Sequence, residues 1–354
     1  SPFSFALFLS SPIYWIRSLP YLDRIFLTIS TNMQQVLIRF EAGELDVINP
    51  TADQFPRILS MAEEKGWKAV AGQPRPLVEF LMFNFNAPDP VKREWFRSEH
   101  FRKAIAYLMD RKSILDTVYC GLGVILHGPI CSSSIYYDPH VEEFSYDFSP
   151  IRARVELKRG GFDWRSDGTC IDSYGNPVSF EIRVISWNTQ WTAIVAILAN
   201  QLSNLGISTT TSFMDWNTYV TKAFSGTFDA MCLGEYNYEP GLQRMVYHSE
   251  GTNHYWNYHP DYDPEDHITE EMYFSPEWEK KIDEIFELQN SLIEWEDRYK
   301  LLSEFQLLMA EHLPFVFMTT QLLLYAYDSD IHHGQWIYGA MLGMPWRPWD
   351  VWRD

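Results

Sequence analysis

The chain is poor in cysteine and basic side chains, and it has no long apolar run. Its four cysteines, Cys120, Cys131, Cys170 and Cys232, lack C-x-x-C spacing. That excludes a zinc ribbon, a thioredoxin-like site and a disulfide framework, and leaves open a single Cys120–Cys131 bridge. A membrane span needs roughly 18–20 apolar residues. The nearest candidate, Phe5 to Ile16, is short, broken by Ser10, Ser11 and Pro12, and not preceded by a basic region or an initiating Met, so no signal peptide is demonstrated and no membrane insertion is expected. With 28 Lys and Arg against 47 Asp and Glu, the net charge of −19 repels nucleic acid and anionic membrane surfaces. There is no G-x-S-x-G elbow, H-E-x-x-H pair, phosphate loop or dinucleotide fingerprint. No enzyme activity and no cofactor are therefore expected.

What is abundant is apolar and aromatic. At 354 residues and 46% hydrophobic, the chain exceeds what one core usually supports, so at least two packed units are expected. Aromatic residues reach 16%, with 14 Trp and 20 Tyr. Most belong in the core, but part of this excess suits a concave surface, where rigid rings give large contact area at small entropic cost.

Hydrophobic spacing reads as strand over Tyr21 to Ile29, helix over Met33 to Phe40 and strand over Leu45 to Ile48, a β-α-β unit. A helix over Ala52 to Lys65 and strands at Trp67 to Val70 and Leu77 to Phe85 continue an alternation that predicts a mostly parallel sheet. After Ala87 to Pro90 the texture turns helical, and Gly121 to Pro150 reads as a long loop. A second βαβ unit follows: strand Phe180 to Ser186, helix Trp191 to Leu205, strand Ile207 to Phe213, helix Asn217 to Phe224 and strand Phe228 to Leu233. Two amphipathic helices precede the apolar strands Phe315 to Met318 and Leu322 to Tyr327.

Ordered blocks carry a resemblance. They are P-Y-L-D-R-I at Pro20 to Ile25, E-A-G-E-L-D-V at Glu41 to Val47, F-N-F-N at Phe83 to Asn86, and F-R-K-A-I-A-Y-L-M-D-R-K at Phe101 to Lys112. V-Y-C-G-L-G and H-G-P-I between Val118 and Ile130, G-N-P at Gly175, L-S-N-L-G-I at Leu202, F-D-A at Phe228 and L-P-F-V-F at Leu313 complete the series. In this order the chain resembles the extracellular solute-binding proteins of family 5, the dipeptide and oligopeptide type that serve ABC importers. The resemblance implies an α/β fold, a two-lobed periplasmic-binding-protein-like clamshell of type II in the cluster of large peptide binders. Residues 1–85 would belong to lobe I, 86–313 form lobe II, and 314–354 return to lobe I. Relatives carry a long stretch before the point matching Ser1, including a signal or lipoprotein segment, so the first lobe is expected to be incomplete and the sequence to be a fragment or a truncated product. The implied partners are an oligopeptide or oligosaccharide solute and the permease subunits of an importer. The implied location is periplasmic, or extracellular and membrane-anchored.

Three segments follow strands where a ligand would sit in such a fold. In S-W-N-T-Q-W, Trp187, Asn188 and Trp191 combine indoles with the free amides of a helix start, although Trp191 also suits a core. In G-E-Y-N-Y-E-P, the family resemblance implies a carboxylate for the ligand's α-ammonium, with Glu239 and Glu235 both eligible, while Tyr236 and Asn237 suit a neutral ligand. In N-H-Y-W-N-Y, Asn253 to Tyr258, the aromatics, Trp256 among them, are candidate stacking rings or loop-packing ones. Asn84 and Asn86 either touch ligand or satisfy backbone at a lobe crossing. No metal site is expected. His254, His259 and His267 lack ligand spacing, and the calcium-like run Asp163, Asp167, Gly168, Asp172 places Tyr174 where a bidentate acid belongs. Two other classes stay open: a glycoside hydrolase-like enzyme using paired carboxylates, and a truncated interaction module that no longer transports.

Overall fold

The computed structural model describes residues 4–332 and 351–353, apart from 12, 14, 15, 17, 31, 238 and 264–267. The chain divides into two units, one made of residues 1–74, 119–122 and 321–354, the other of 75–118 and 123–320.

The first unit begins with an antiparallel pair, β1 (Ser4–Leu9) and β2 (Arg24–Ile29). β1 occupies the stretch that came nearest to an apolar span, and Leu7, Leu9, Phe26 and Ile29 of the pair are exposed. Helix α1 (Met33–Glu41) starts at Asn32, whose side chain accepts from the Gln35 amide at 3.1 Å. β3 (Val47–Ile48), α2 (Phe55–Lys65) and β4 (Trp67–Pro74) follow. The sheet runs β3-β13-β4, with β13 (Thr319–Asp328) pairing antiparallel to both neighbours. Leu37, Phe40, Ile48, Ile58 and Ala326 form its core. The expected parallel β-α-β arrangement is therefore corrected here. Alternation of strand and helix fixes the layers but not the partner strand, and this partner arrives from about 280 residues downstream.

The second unit holds β5 (Leu77–Phe83), α3 (Pro90–Arg97), α4 (Glu99–Leu108), α5 (Arg111–Thr117), β6 (Gly123–Ile125), α6 (Pro150–Arg159) and a small hairpin of β7 (Asp163–Trp164) with β8 (Cys170–Ile171). Then come β9 (Ser179–Ile185), α7 (Thr189–Asn204), β10 (Ser208–Met214), α8 (Trp216–Phe224), β11 (Ala230–Tyr236), α9 (Arg244–Tyr247), α10 (Glu277–Gln289), α11 (Trp295–His312) and β12 (Phe315–Phe317). The five-stranded sheet runs β10-β9-β11-β5-β12. β9 pairs parallel with β10 and β11, and β5 pairs antiparallel with β11 and β12, so this sheet is mixed. All seven residues of β5 are buried, as their apolar run requires of a strand covered on both faces. Because β5 and β12 both belong to this sheet, the units change at residues 74/75 and 320/321 rather than at the expected 85/86 and 313/314.

All four cysteines are free thiols, so no Cys120–Cys131 bridge is present. Among the described residues no helix is long and apolar enough to cross a membrane.

Candidate functional site

The site lies in the second unit around the end of β11. Gly234 pairs with Glu79 and Glu235 with Val78 across the β11–β5 ladder, and successive residues of a strand point to opposite faces. The sequence candidates therefore divide between the two sides of the sheet.

On the face of Gly234, a Cβ at that position would stand 3.3 Å from Trp191 and 3.5 Å from the Glu79 side chain. The Trp191 indole donates to Glu79 Oε1 at 2.9 Å, and both side chains are buried. Asn188 caps α7 by accepting from the Trp191 amide at 3.0 Å. Trp191 and Asn188 thus have structural employment, whereas Trp187 is exposed. Tyr236 is partly exposed on the same face, and its carbonyl accepts from Gln243 at 2.6 Å.

On the other face, Phe80 stacks on Phe315 at 3.8 Å, Trp256 meets Phe315 edge-on at 4.6 Å, and Tyr247 lies 6.5 Å from Trp256. Glu235 is on this face, and its carboxylate has no hydrogen-bond or ion-pair partner among the described residues. Burial raises its pKa to about 7. Burial first, and then the Glu235 charge, push up the Tyr247 and Tyr255 phenols, which places both rings within its field. Tyr247 Oη and Trp256 Nε1 are buried without a hydrogen-bond partner among the described residues. An unpaired carboxyl, a phenol and an indole N–H thus occur together in apolar surroundings where each such group is costly. Tyr247 went unread in the sequence, and Tyr255 was read only as one of the N-H-Y-W-N-Y aromatics. Tyr247 sits in a four-residue helix with no periodicity to mark it, and Tyr255 looked like one more loop aromatic.

The remaining candidates are held by the protein itself. Glu239 is ion-paired with Arg298. Asn237 donates to the Pro129 carbonyl at 2.7 Å, and its amide donates to the Pro76 carbonyl at 2.9 Å. Asn84 donates to the carbonyls of Gly226 and Phe228 and accepts from the Asn86 amide, so it satisfies backbone at the β5 exit.

Histidine chemistry is also internal. His254 is fully buried, with Nδ1 3.0 Å from the Val246 carbonyl and Nε2 2.9 Å from Glu279, whose other oxygen accepts from Asn257. His259 Nδ1 accepts from the Asp261 amide, and His267 lies outside the described residues. Asp172 of the calcium-like run accepts from Trp95, Asn176 and the Tyr174 amide. Ligand atoms of His248, Glu250 and Glu287 lie within 4.8 Å of one another. Arg244 already pairs with Glu250 and Glu287 and approaches His248 at 3.3 Å, so a cation occupies that cluster.

Residues 6–256 match the bacterial extracellular solute-binding proteins, family 5 (middle). The chain belongs to this family. A probable ABC transporter-binding protein of Deinococcus radiodurans is 27% identical over 229 residues, which is 62% of this chain and 38% of that protein. A dipeptide-binding protein of Pseudomonas aeruginosa is 23% identical over 221 residues, again 62% of this chain and 38% of the relative. The chain thus spans well under half of the curated relatives it matches. Among solved structures, the oligopeptide-binding protein AppA of Bacillus subtilis, in complex with a nonapeptide, superposes with a TM-score of 0.74 at 18% identity, covering all of this chain and 66% of AppA. The periplasmic binding protein MelB of Agrobacterium fabrum, in complex with stachyose, gives 0.75 at 20% identity, covering 92% of this chain and 51% of MelB. The family 5 chain has the α/β fold of periplasmic peptide-binding proteins. Its relatives named here are binding proteins rather than enzymes.

Proposed function

We propose that this family 5 chain is the solute-binding part of an ABC importer and that its solute is a short peptide, held outside the cytoplasm for a permease. The observation that supports the peptide reading most is Glu235. Its carboxylate is half-buried on the Phe80 side of the sheet and lacks a protein partner among the described residues, an arrangement that a ligand ammonium would complete. Glu239, the other eligible acid, is already neutralised by Arg298. Membrane anchoring of the protein that carries this chain belongs to the same proposal.

The test is calorimetric titration with a pool of free-amine tripeptides, the same peptides N-acetylated, and a mixed oligosaccharide pool. The free-amine pool should bind, N-acetylation should weaken binding by about 10–100-fold, and Glu235→Gln should cost a similar factor. The similarity to MelB supports an oligosaccharide as a second reading, and heat from the sugar pool alone would decide for it.

A further inference from the structure

A second concavity in the same unit shares no lining residue with the Glu235 site. It is a cavity of about 340 Å³ walled by Ile125, Leu126, Phe144, Phe148 and Phe317, with Arg111 and His127 among its polar lining. That is at the small end of the roughly 300–1,000 Å³ typical of small-molecule sites.

Two arginines of this unit are buried, and the contrast between them is informative. Arg102 uses all three side-chain nitrogens, donating to the carbonyls of Leu313, Phe96, Arg97 and His312. Arg111 donates through Nε to the Phe317 carbonyl and through Nη1 to the carbonyls of Ala106, Met109 and Tyr146. Its Nη2 has no partner, and no carboxylate pairs with it, among the described residues. Of the two carboxylates at the cavity, Asp110 is committed to Ser113 as the cap of α5, and Asp147 is exposed. Burial lowers the Arg111 pKa to about 10, and the Asp147 carboxylate, which makes no direct pair with it, offsets only part of that. His127, whose pKa burial and then Arg111 lower, brings a neutral imidazole to the same wall.

We infer that this cavity is a second binding site, specific for a compact aromatic monocarboxylate. The ring packs against Ile125, Phe144 and Phe148, and the carboxylate accepts from Arg111 Nη2 and His127. An uncharged ligand would offer Arg111 Nη2 no charge-assisted acceptor.

Phenylacetate and its neutral isostere phenylacetamide are the probes, titrated into the whole chain and followed by calorimetry and protein-observed NMR. Phenylacetate should bind and shift resonances of residues 109–112 and 125–127, and phenylacetamide should bind at least about tenfold more weakly. Replacing Arg111 would strand four carbonyls and risk the fold, so the rim carries the variant test. Phe148→Glu, at a position 39% exposed, should weaken phenylacetate by about tenfold or more while the melting temperature holds. Glu235→Gln should leave phenylacetate binding unchanged, which separates this site from the peptide reading. Absence of phenylacetate binding at millimolar concentration, equal binding of the amide, or displacement by peptide would each overturn the inference.

Discussion

At the scale of single residues, Glu235 sets stability against binding. A glutamic acid whose pKa is raised from its ordinary value near 4.5 to about 7 binds a proton more tightly when folded than when unfolded. Its protonated form is favoured in the fold, so its contribution is most favourable below the unfolded pKa and is lost as pH rises from about 4.5 through 7. Glu235→Gln removes that loss. The variant should be more stable than the parent at pH 8, by up to about 3 kcal/mol, and should differ little at pH 4. Urea melts at the two pH values check this, and equal differences at both would refute the assignment. A ligand ammonium favours the ionised form, so peptide binding near pH 6 should release a proton, visible as a buffer-dependent heat of binding. Glu279 presents the opposite case, an acid satisfied by the protein. Replacing it with Leu leaves His254 and Asn257 buried without their partner and should cost roughly 3–5 kcal/mol. A double variant with His254→Phe should recover part of that loss in the same denaturation assay.

At the scale of elements, most helices and strands were legible because caps and apolar spacing are local signals. Asn188 opens α7, and Gly206 follows its end with φ of +75°. A Cβ at Gly206 would stand 1.9 Å from the Gly168 carbonyl oxygen, so the L-S-N-L-G-I block needs glycine for both conformation and space. Gly206→Ala should cost roughly 2–4 kcal/mol, and Asn188→Ala only about 1 kcal/mol, in chemical denaturation. Similar losses for the two would mean that the β8 turn yields to the methyl. Pairing was less legible than the elements themselves. Nothing in L-V-E-F-L-M-F says that β5 runs antiparallel between β11 and β12, although its unbroken apolar run did announce burial. The candidate site suffered from the same blindness. Glu235 and Trp191 were both singled out by position after strands, yet the ladder register assigns them to opposite faces. Only the structure revealed that Glu239 has Arg298 as partner while Glu235 has none among the described residues.

At the scale of the whole molecule, the second unit is closed by a strand that arrives after more than two hundred residues. β12 supplies Phe315, which stacks on Phe80 of β5 and touches Trp256 and Tyr247, so three residues of late sequence complete both the sheet and the Glu235 face. Non-local pairing of this kind is slow to form and leaves an open apolar edge until it does. A chain ending at His312 should therefore lose cooperative melting and aggregate, because β5 keeps only one neighbour and the core side chains of β12 are gone. A chain ending at Thr320 retains β12 but loses β13 from residue 321 onward, and with it the strand that pairs both β3 and β4. Hydrogen exchange should then show slow amides persisting in β5, β9 and β11 while those of β3 and β4 exchange freely. Peptide binding by that shorter chain would place the essential contacts within the second unit. A cooperative transition surviving in the His312-terminated chain would instead show that β12 is an accessory strand, and that the sheet around Glu235 is stable without it.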